Sequence, residues 1–223
     1  MPLTDKATAM QAVHLQFITH TTERYSYADA ARLALIGGCR WIQLRAKEMP
    51  MVELEPLAVE VRQLCEAYRA TFIIDDHVEL ALRVGAHGVH LGRSDMPIDE
   101  ARRLMGPNYI IGGTANTLGD IRRLWLSGAD YVGCGPFRFT TTKKNLSAIL
   151  GLAGYSRLMQ EARSEGIKLP VVAIGGITAQ DISSLLKTGV DGIALSGSVL
   201  RAHDPASQMR EILAILMNNK QNA

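Results

Sequence analysis

The sequence predicts a single (β/α)8 barrel of the TIM-barrel class, in which residues 1–223 form one domain. Short β-rich runs alternate strictly with helical periods, and the chain contains eight of each. Glycine also stands at several points where a predicted helix ends and the next strand begins, and there it supplies a left-handed cap. A doubly wound open sheet explains eight regular repeats less well, and no GxGxxG motif follows the first strand.

The predicted elements follow one another without a composition break that would mark a linker. In chain order the strands are 13–19, 40–45, 71–75, 87–91, 109–113, 131–133, 170–174 and 192–195. The helical periods are 26–36, 51–68, 78–84, 98–105, 118–126, 146–164, 179–187 and 205–217. The glycine junctions are GGCR (37–40), GAHG (85–88), SGAD (127–130) and TGVD (188–191).

The composition is that of an ordinary globular protein able to bury a full core, with 47% apolar and 21% charged residues. A net charge of +2 is too small to indicate nucleic acid or a membrane surface as a partner. No apolar run approaches the roughly 20 residues of a membrane span, and the first residues lack a secretory signal. Three scattered cysteines, Cys39, Cys65 and Cys134, are typical of buried free thiols in a reducing cytoplasm. The sequence does not determine whether the protein forms a homo-oligomer.

The second strand predicts a cationic site at the carboxyl ends of the strands, where barrels of this class carry their function. Side chains alternate along a strand, so Ile42 and Leu44 face the helices, while Gln43, Arg45 and Lys47 face the barrel mouth. Two cations and an amide at one point favour an anion such as pyrophosphate. The alternative is a solvated strand end whose charges point outward.

Two aspartates follow neighbouring strands and predict a magnesium site beside these cations. Asp76 follows the third strand and Asp95 the fourth. Mg²⁺ prefers oxygen ligands and commonly takes one or two carboxylates together with substrate phosphates. Alternatively, Asp75 or Asp76 caps the following helix, and Asp95 is a turn residue before Met96-Pro97.

The histidines His77, His87 and His90 raise zinc as another metal, but their spacing matches neither HExxH nor another zinc signature. His90 alternates with Val89 and Leu91. We therefore expect it to be a hydrogen-bonded histidine inside the barrel.

Three loops predict phosphate binding. Residues 133–145 (GCGPFRFTTTKKN) combine three hydroxyls and two lysines in a segment that could close over a site. Residues 173–178 (AIGGIT) and 194–198 (ALSGS) follow strands seven and eight, where backbone N–H groups and a short helix bind phosphate in such barrels. Two anion sites in one mouth suit an enzyme that joins a monophosphate compound to a pyrophosphate-activated one.

With these motifs in this order, nearly the whole chain resembles the thiamine phosphate synthase family. The segments that carry the resemblance are QLRAK (43–47), DDHVELALRVGAHGVHLGRSD (75–95), GGTANT (112–117), GCGPFRFTTTKKN (133–145), VAIGGIT (172–178) and GVDGIALSGS (189–198). The resemblance implies an enzyme that condenses hydroxymethylpyrimidine diphosphate with a thiazole phosphate and releases pyrophosphate. It implies a dissociative reaction with Mg²⁺ as cofactor and small molecules as partners.

The resemblance also implies a role for individual residues. Asp76 and Asp95 would bind Mg²⁺, and Arg45 and Lys143 would be catalytic by neutralising the leaving group. The residues implied to bind substrate are Gln43, Arg45, Lys47, Asp75, Thr114, Thr140, Thr141, Thr142, Lys143, Gly176, Ser196 and Gly197.

The chain departs from the family pattern at four places. Asp75 stands where Asn is common, Thr114 where Ser is frequent and Asn116 where His is frequent, and Arg138-Phe139 replaces a Phe-Pro pair. The competing functions are a thiazole tautomerase-like isomerase, a Schiff-base aldolase using Lys47 or Lys143, and a catalytically silent sensor of phosphate ligands.

Overall fold

The computed structural model describes residues 5–140 and 147–221. Eight parallel strands form one closed barrel in the order β1 to β8, and β1 pairs with both β2 and β8. The strands are β1 (Leu15–Ile18), β2 (Trp41–Leu44), β3 (Thr71–Asp75), β4 (Gly88–Leu91), β5 (Ile110–Ala115), β6 (Tyr131–Cys134), β7 (Val171–Ile174) and β8 (Gly192–Leu195). The predicted (β/α)8 barrel is therefore confirmed.

Helices alternate with the strands, and short helices lie before β1 and after β8. The helices are α1 (Lys6–Met10), α2 (Tyr27–Ile36), α3 (Met51–Ala67), α4 (Val78–Val84), α5 (Ile98–Met105), α6 (Leu118–Leu126), α7 (Gly151–Ser164), α8 (Ile182–Leu186), α9 (Gly197–Leu200) and α10 (Pro205–Gln221). None of the helices in the described part of the chain has the length and apolar character needed to cross a bilayer.

Two helix predictions need correction, and two helices had no counterpart among the predictions. The helix predicted from 146 begins at Gly151, because Gly151 has a φ of +58° and breaks the α conformation there. The segment predicted as one helix over 179–187 is a 3-10 turn, Ala179–Asp181, followed by α8. Two short helices were not predicted. The side chain of Asp5 caps α1, and α9 has only four residues, too few to show a period.

The core has two layers, as alternation along the strands requires. Ile42 and Leu44 pack outward against the helices, whereas Trp41 points inward and packs edge-on against Tyr131 with ring centroids 5.3 Å apart. The inner layer also contains Val13, Ile18, Ile73, Ile110, Val172 and Ala194. The three cysteines are buried free thiols, as predicted.

At the amino ends of the strands, a residue just before one strand accepts a hydrogen bond from a backbone N–H of the preceding strand, and we call this contact a lock. Asp130, just before β6, accepts a hydrogen bond from Ile111 N of β5 at 2.8 Å. Asp191, just before β8, accepts one from Val171 N of β7 at 2.7 Å. His87, just before β4, does the same through Nδ1 with Phe72 N of β3 at 3.0 Å. Each even strand from β4 to β8 is thus tied to the strand before it.

An arginine one helix earlier reinforces two of these locks. Arg102 pairs with Asp130 at 2.6 Å and Arg163 pairs with Asp191 at 2.7 Å. His87 has no such arginine in the described part of the chain, and burial lowers its pKa. The sequence signal for the lock is the residue after Gly-Ala or Gly-Val in three of the glycine junctions.

Candidate active site

A cavity opens at the carboxyl ends of the strands, where the predicted site residues converge. The predicted residues that line it are Gln43, Arg45, Lys47, Asp75, Asp76, Thr114, Thr140, Gly176, Ser196 and Gly197. Asp95 lies against Asp76 beside the cavity. Thr141, Thr142 and Lys143 are outside the residues that the structure describes.

The cations after β2 are paired with the aspartates after β3. Gln43 Nε2 donates to Asp75 Oδ1 at 2.7 Å, and Arg45 Nε lies 3.4 Å from Asp75 Oδ2. Lys47 Nζ lies 2.8 Å from Asp76 Oδ2 and 4.0 Å from Asp75 Oδ2. Gln43 and Arg45 therefore face the barrel mouth, and Lys47, although exposed, reaches the aspartates on the same side, so the charges of this strand end do not point outward.

Asp75 is a buried acid whose charge is only partly compensated. Burial raises the pKa of Asp75, the nearby Asp76 carboxylate raises it further, and Lys47, Arg45 and Gln43 oppose the shift. Its Oδ2 atom is buried without a hydrogen-bond partner among the described residues, because the arginine contact at 3.4 Å lacks hydrogen-bond geometry. Such an atom is available to a ligand that brings a donor.

Asp76 projects its carboxylate from a backbone in the left-handed region, with a φ of +67°. Its N–H donates to His90 O at 2.9 Å, which fixes this conformation at the end of β3. The residue at the N-cap of α4 is His77, without a side-chain cap bond, so the alternative that Asp75 or Asp76 caps this helix is wrong. A non-glycine residue held at positive φ is typical of a functional position.

The carboxylates of Asp76 and Asp95 lie within hydrogen-bonding reach of each other, and this contact shifts their pKa values in opposite directions. Burial and the bond to Asp95 raise the pKa of Asp76. Burial acts to raise the pKa of Asp95 too, but hydrogen bonds from Asp76 and from Gly92 N–H outweigh it and lower that pKa. Asp95 Oδ2 accepts the Gly92 N–H at 2.6 Å, so Asp95 is also the turn residue of the alternative interpretation.

This donor set fits a hard divalent cation. The described residues contain no group of three or more His, Cys, Asp or Glu side chains that could bind a metal alone. The two neighbouring carboxylates of Asp76 and Asp95 offer oxygen ligands to such a cation, and the remaining ligands would come from a substrate phosphate and water. The predicted zinc alternative is not supported, since His87 lies at the amino end of β4 and His77 after the carboxyl end of β3.

His90 is the predicted hydrogen-bonded histidine of the barrel interior. Its Nδ1 lies 3.0 Å from Tyr131 Oη, and its Nε2 lies 3.0 Å from Thr114 Oγ1. The contact between His90 and Thr114 fixes the rotamer of Thr114 at the cavity wall.

The opposite side of the cavity, after β7 and β8, offers backbone donors. The N–H groups of Gly176, Gly197 and Ser198 donate to no other described residue. Ser196 Oγ donates to Ile18 O at 2.6 Å and contacts His20 Nδ1 at 2.7 Å. Unused N–H groups at a cavity wall suit a phosphate.

Comparisons with known proteins agree with this geometry. The family model described as thiamine monophosphate synthase matches residues 15–199. The chain belongs to the thiamine monophosphate synthase family. It is 57% identical over 203 residues to the thiamine-phosphate synthase of Phocaeicola vulgatus, covering 91% of this chain and 98% of that one. It is 58% identical over 201 residues to the thiamine-phosphate synthase of Bacteroides thetaiotaomicron, covering 90% and 96%.

A solved structure of the same kind supports the assignment. The thiamine phosphate pyrophosphorylase from Pyrococcus furiosus superposes with a TM-score of 0.82 at 37% identity, covering 93% of this chain and 97% of that one. As a member of the thiamine monophosphate synthase family, the chain is a transferase of thiamine biosynthesis.

The structure also accounts for two departures of this synthase from its family pattern. Asn116 Nδ2 donates to Gly135 O at 2.9 Å and to Ala148 O at 2.8 Å. It therefore bridges the two flanks of the loop after β6. Arg138 forms a two-point ion pair with Asp181, at 2.8 and 2.6 Å, which ties the first flank to the loop after β7.

Two residues of the site were missed by the sequence analysis. Arg201 lines the cavity on the β8 side, and His20 lies after β1 next to Ser196. The sequence contains no periodic signal for Arg201, because the helix before it has only four residues; its spacing of four from Gly197 becomes informative only once that helix is known.

Proposed function

We propose that this protein condenses hydroxymethylpyrimidine diphosphate with a thiazole phosphate to form thiamine phosphate and pyrophosphate. One observation carries the proposal at the level of the site: a single cavity has paired cations and carboxylates on its β2–β3 side and unused backbone donors on its β7–β8 side. Two substrates with phosphate groups can therefore lie end to end, with their reacting atoms between the two ends.

The diphosphate belongs on the β2–β3 side. Gln43, Arg45 and Lys47 are close enough to share its charge, because all three converge on the aspartates of β3. Arg45 can form two parallel hydrogen bonds to phosphate oxygens, and Lys47 contributes a point charge. We assign the same task to Lys143, on the basis of the family motif.

Asp76 and Asp95 would hold a Mg²⁺ ion. The bound ion would supply charge neutralisation of the departing pyrophosphate. Lys47 lies 2.8 Å from Asp76 and keeps a positive charge at the same point.

In the reaction, the bond between the pyrimidine methylene carbon and the diphosphate oxygen breaks, and its electron pair leaves with pyrophosphate. The ring nitrogen of the thiazole then donates its lone pair to that carbon and forms the new C–N bond. The attacking nitrogen carries no proton, so no general base is required. Arg45 and Lys143 act as catalytic residues by stabilising negative charge on the leaving group.

The remaining predicted residues position the two rings and the monophosphate. Asp75, with one buried oxygen unused, can accept a hydrogen bond from the pyrimidine amino group. Thr114, oriented by His90, stands on the same wall of the cavity. Thr140, Gly176, Ser196 and Gly197 line the other end, where we place the thiazole phosphate together with Thr141 and Thr142.

The test is release of pyrophosphate from purified protein mixed with both substrates, with Mg²⁺ and again with EDTA. Omission of each substrate in turn is the control. Mg²⁺-dependent release that needs both substrates is expected. Binding of thiazole phosphate without release under any condition would instead favour the silent sensor or the tautomerase-like isomerase.

A further inference from the structure

The β8 side of the cavity contains a cation that the family motifs do not include. Arg201 follows α9 directly, and its N–H donates to Gly197 O at 3.1 Å. Its side chain folds back over the start of this short helix, so that a Cβ added to Gly197 would collide with Nη1 of Arg201. The glycine therefore leaves room for the guanidinium, which lines the cavity.

Arg201 differs from the other cations of the cavity in its charge balance. Among the described residues that line the cavity, the cationic side chains are Arg45, Lys47 and Arg201. Arg45 and Lys47 each lie within 4.0 Å of an aspartate. Arg201 forms no ion pair with a carboxylate in residues 5–140 and 147–221. A cation at a cavity wall without a counter-charge favours an anionic ligand.

The neighbouring histidine does not add charge at this point. Burial lowers the pKa of His20, and the nearby positive charges of Arg201 and Arg45 lower it further. Ser196 has one hydroxyl hydrogen, which it donates to Ile18 O, so His20 Nδ1 donates to Ser196 Oγ. His20 is thus a neutral ring that fixes the Ser196 hydroxyl, and Arg201 supplies the positive charge on this side.

We propose that Arg201 is a substrate-binding residue that recognises the phosphate group of the second substrate, together with the N–H groups of Gly176, Gly197 and Ser198. This inference rests on the proposed function for the identity of that substrate. The four-residue α9 is too short to contribute a substantial helix dipole, so the guanidinium carries the charge recognition. Arg201 is then the residue that discriminates a thiazole phosphate from the unphosphorylated thiazole alcohol.

The experiment measures binding of three probes by calorimetry: thiazole phosphate, inorganic phosphate and the thiazole alcohol. The proteins are wild type, Arg201→Gln, Arg201→Lys, and Arg210→Gln as a matched control. Arg210 lies on α10 and pairs only loosely, at 4.0 Å, with Asp204. Arg201→Gln should weaken binding of thiazole phosphate and of inorganic phosphate by about 10- to 100-fold, as loss of a charged hydrogen bond does. Arg201→Lys should recover part of the loss.

Three further results are expected. Arg201→Gln should bind the alcohol as wild type does, keep its KM for pyrimidine diphosphate within about twofold, and melt at the wild-type temperature, since Arg201 is exposed. Unchanged thiazole phosphate binding in Arg201→Gln would overturn the proposal, as would equal losses in Arg201→Gln and Arg210→Gln. Equal weakening of alcohol and phosphate would overturn it too.

The proposed reaction and the proposed anion site can be refuted independently of each other. A wild-type protein that releases no pyrophosphate but binds inorganic phosphate through Arg201 would refute the reaction and retain the anion site. A wild-type protein that binds neither thiazole phosphate nor inorganic phosphate would refute the anion site itself.

Discussion

Lys47 Nζ lies 2.8 Å from Asp76 Oδ2, and the Asp76 carboxylate in turn lies within hydrogen-bonding reach of Asp95. A cation and two carboxylates thus meet at the point where a diphosphate and a divalent ion would have to be bound together. The lysine comes from the loop after β2, Asp76 directly follows β3, and Asp95 lies in the loop after β4.

Replacement of Asp95 by Asn should separate turnover from binding of the second substrate. The amide keeps an oxygen that can accept the Gly92 N–H, so the turn survives. Loss of one anionic metal ligand should lower kcat by about 100-fold or more, since metal-assisted charge stabilisation is worth several kcal/mol. The dissociation constant for thiazole phosphate should stay within about twofold. Equal loss in kcat and in thiazole phosphate affinity, or no loss in either, would remove the metal-binding role from Asp95.

Replacement of Asp75 by Asn should tighten binding of the pyrimidine diphosphate. The amide oxygen still accepts the bond from Gln43 Nε2, while Arg45 and Lys47 lose a competing negative charge. We expect the KM for this substrate to fall by roughly threefold to tenfold, because the partly exposed cations Arg45 and Lys47 would no longer share their charge with a carboxylate, a change of about 1 kcal/mol. Steady-state kinetics with thiazole phosphate in excess measure this. A rise in KM would instead mean that losing a carboxylate acceptor for the pyrimidine amino group outweighs the gain in positive charge.

Replacement of Asn116 by Ala should uncouple the flanks of the loop after β6. Two carbonyl groups, Gly135 O and Ala148 O, would lose their donor, at about 1 kcal/mol for each bond. The free energy of unfolding, measured in urea, should fall by about 2 kcal/mol, and kcat should fall as well because this loop carries Lys143.

Arg138→Gln is the comparison for this loop variant. It removes an exposed ion pair with Asp181 and should cost less than about 1 kcal/mol. If Arg138→Gln reduces stability more than Asn116→Ala does, the amide is not the principal link between the flanks.

His87 should make the stability of the fold sensitive to acid. Its Nδ1 accepts the Phe72 N–H and must stay unprotonated, and burial lowers its pKa below 6.5. Below the pKa of a free histidine the unfolded chain therefore binds more protons than the folded one. The contribution of His87 is fully present above pH 6.5 and is lost as the pH falls through the lowered pKa.

The control is His87→Asn, whose amide oxygen can accept the same bond without titrating. Urea midpoints of the two proteins, compared between pH 7.5 and pH 5, should diverge in favour of the Asn variant as the pH falls. A difference between the two midpoints that is constant over this range would contradict the role given to His87.

The sequence predicted the barrel because alternation, glycine junctions and strand order follow from backbone geometry alone. The same geometry put Gln43 and Arg45 on the inward face and Asp76 and Asp95 at neighbouring strand ends. It could not show that Lys47 reaches Asp76 from beyond the end of β2, because the path of that loop depends on packing.

The misses have physical causes as well. Arg201 follows a helix of one turn, and such a helix leaves no periodic pattern in the sequence. His20 belongs to the site through its contact with Ser196. Ser196 is 176 residues away along the chain and becomes a neighbour only when β8 pairs with β1. The left-handed backbone of Asp76 is fixed by a hydrogen bond to His90 on the adjacent strand.

The locks at the amino ends of β4, β6 and β8 have a consequence for how this barrel can change over evolutionary time. Each lock joins one strand to the strand before it, and none involves a loop at the catalytic end. Insertions and substitutions in those loops therefore leave the three locks intact. Three strand pairs, β3–β4, β5–β6 and β7–β8, are thus joined at their amino ends, while the loops at the carboxyl ends can vary. Substrate preference can therefore change during evolution without loss of the barrel.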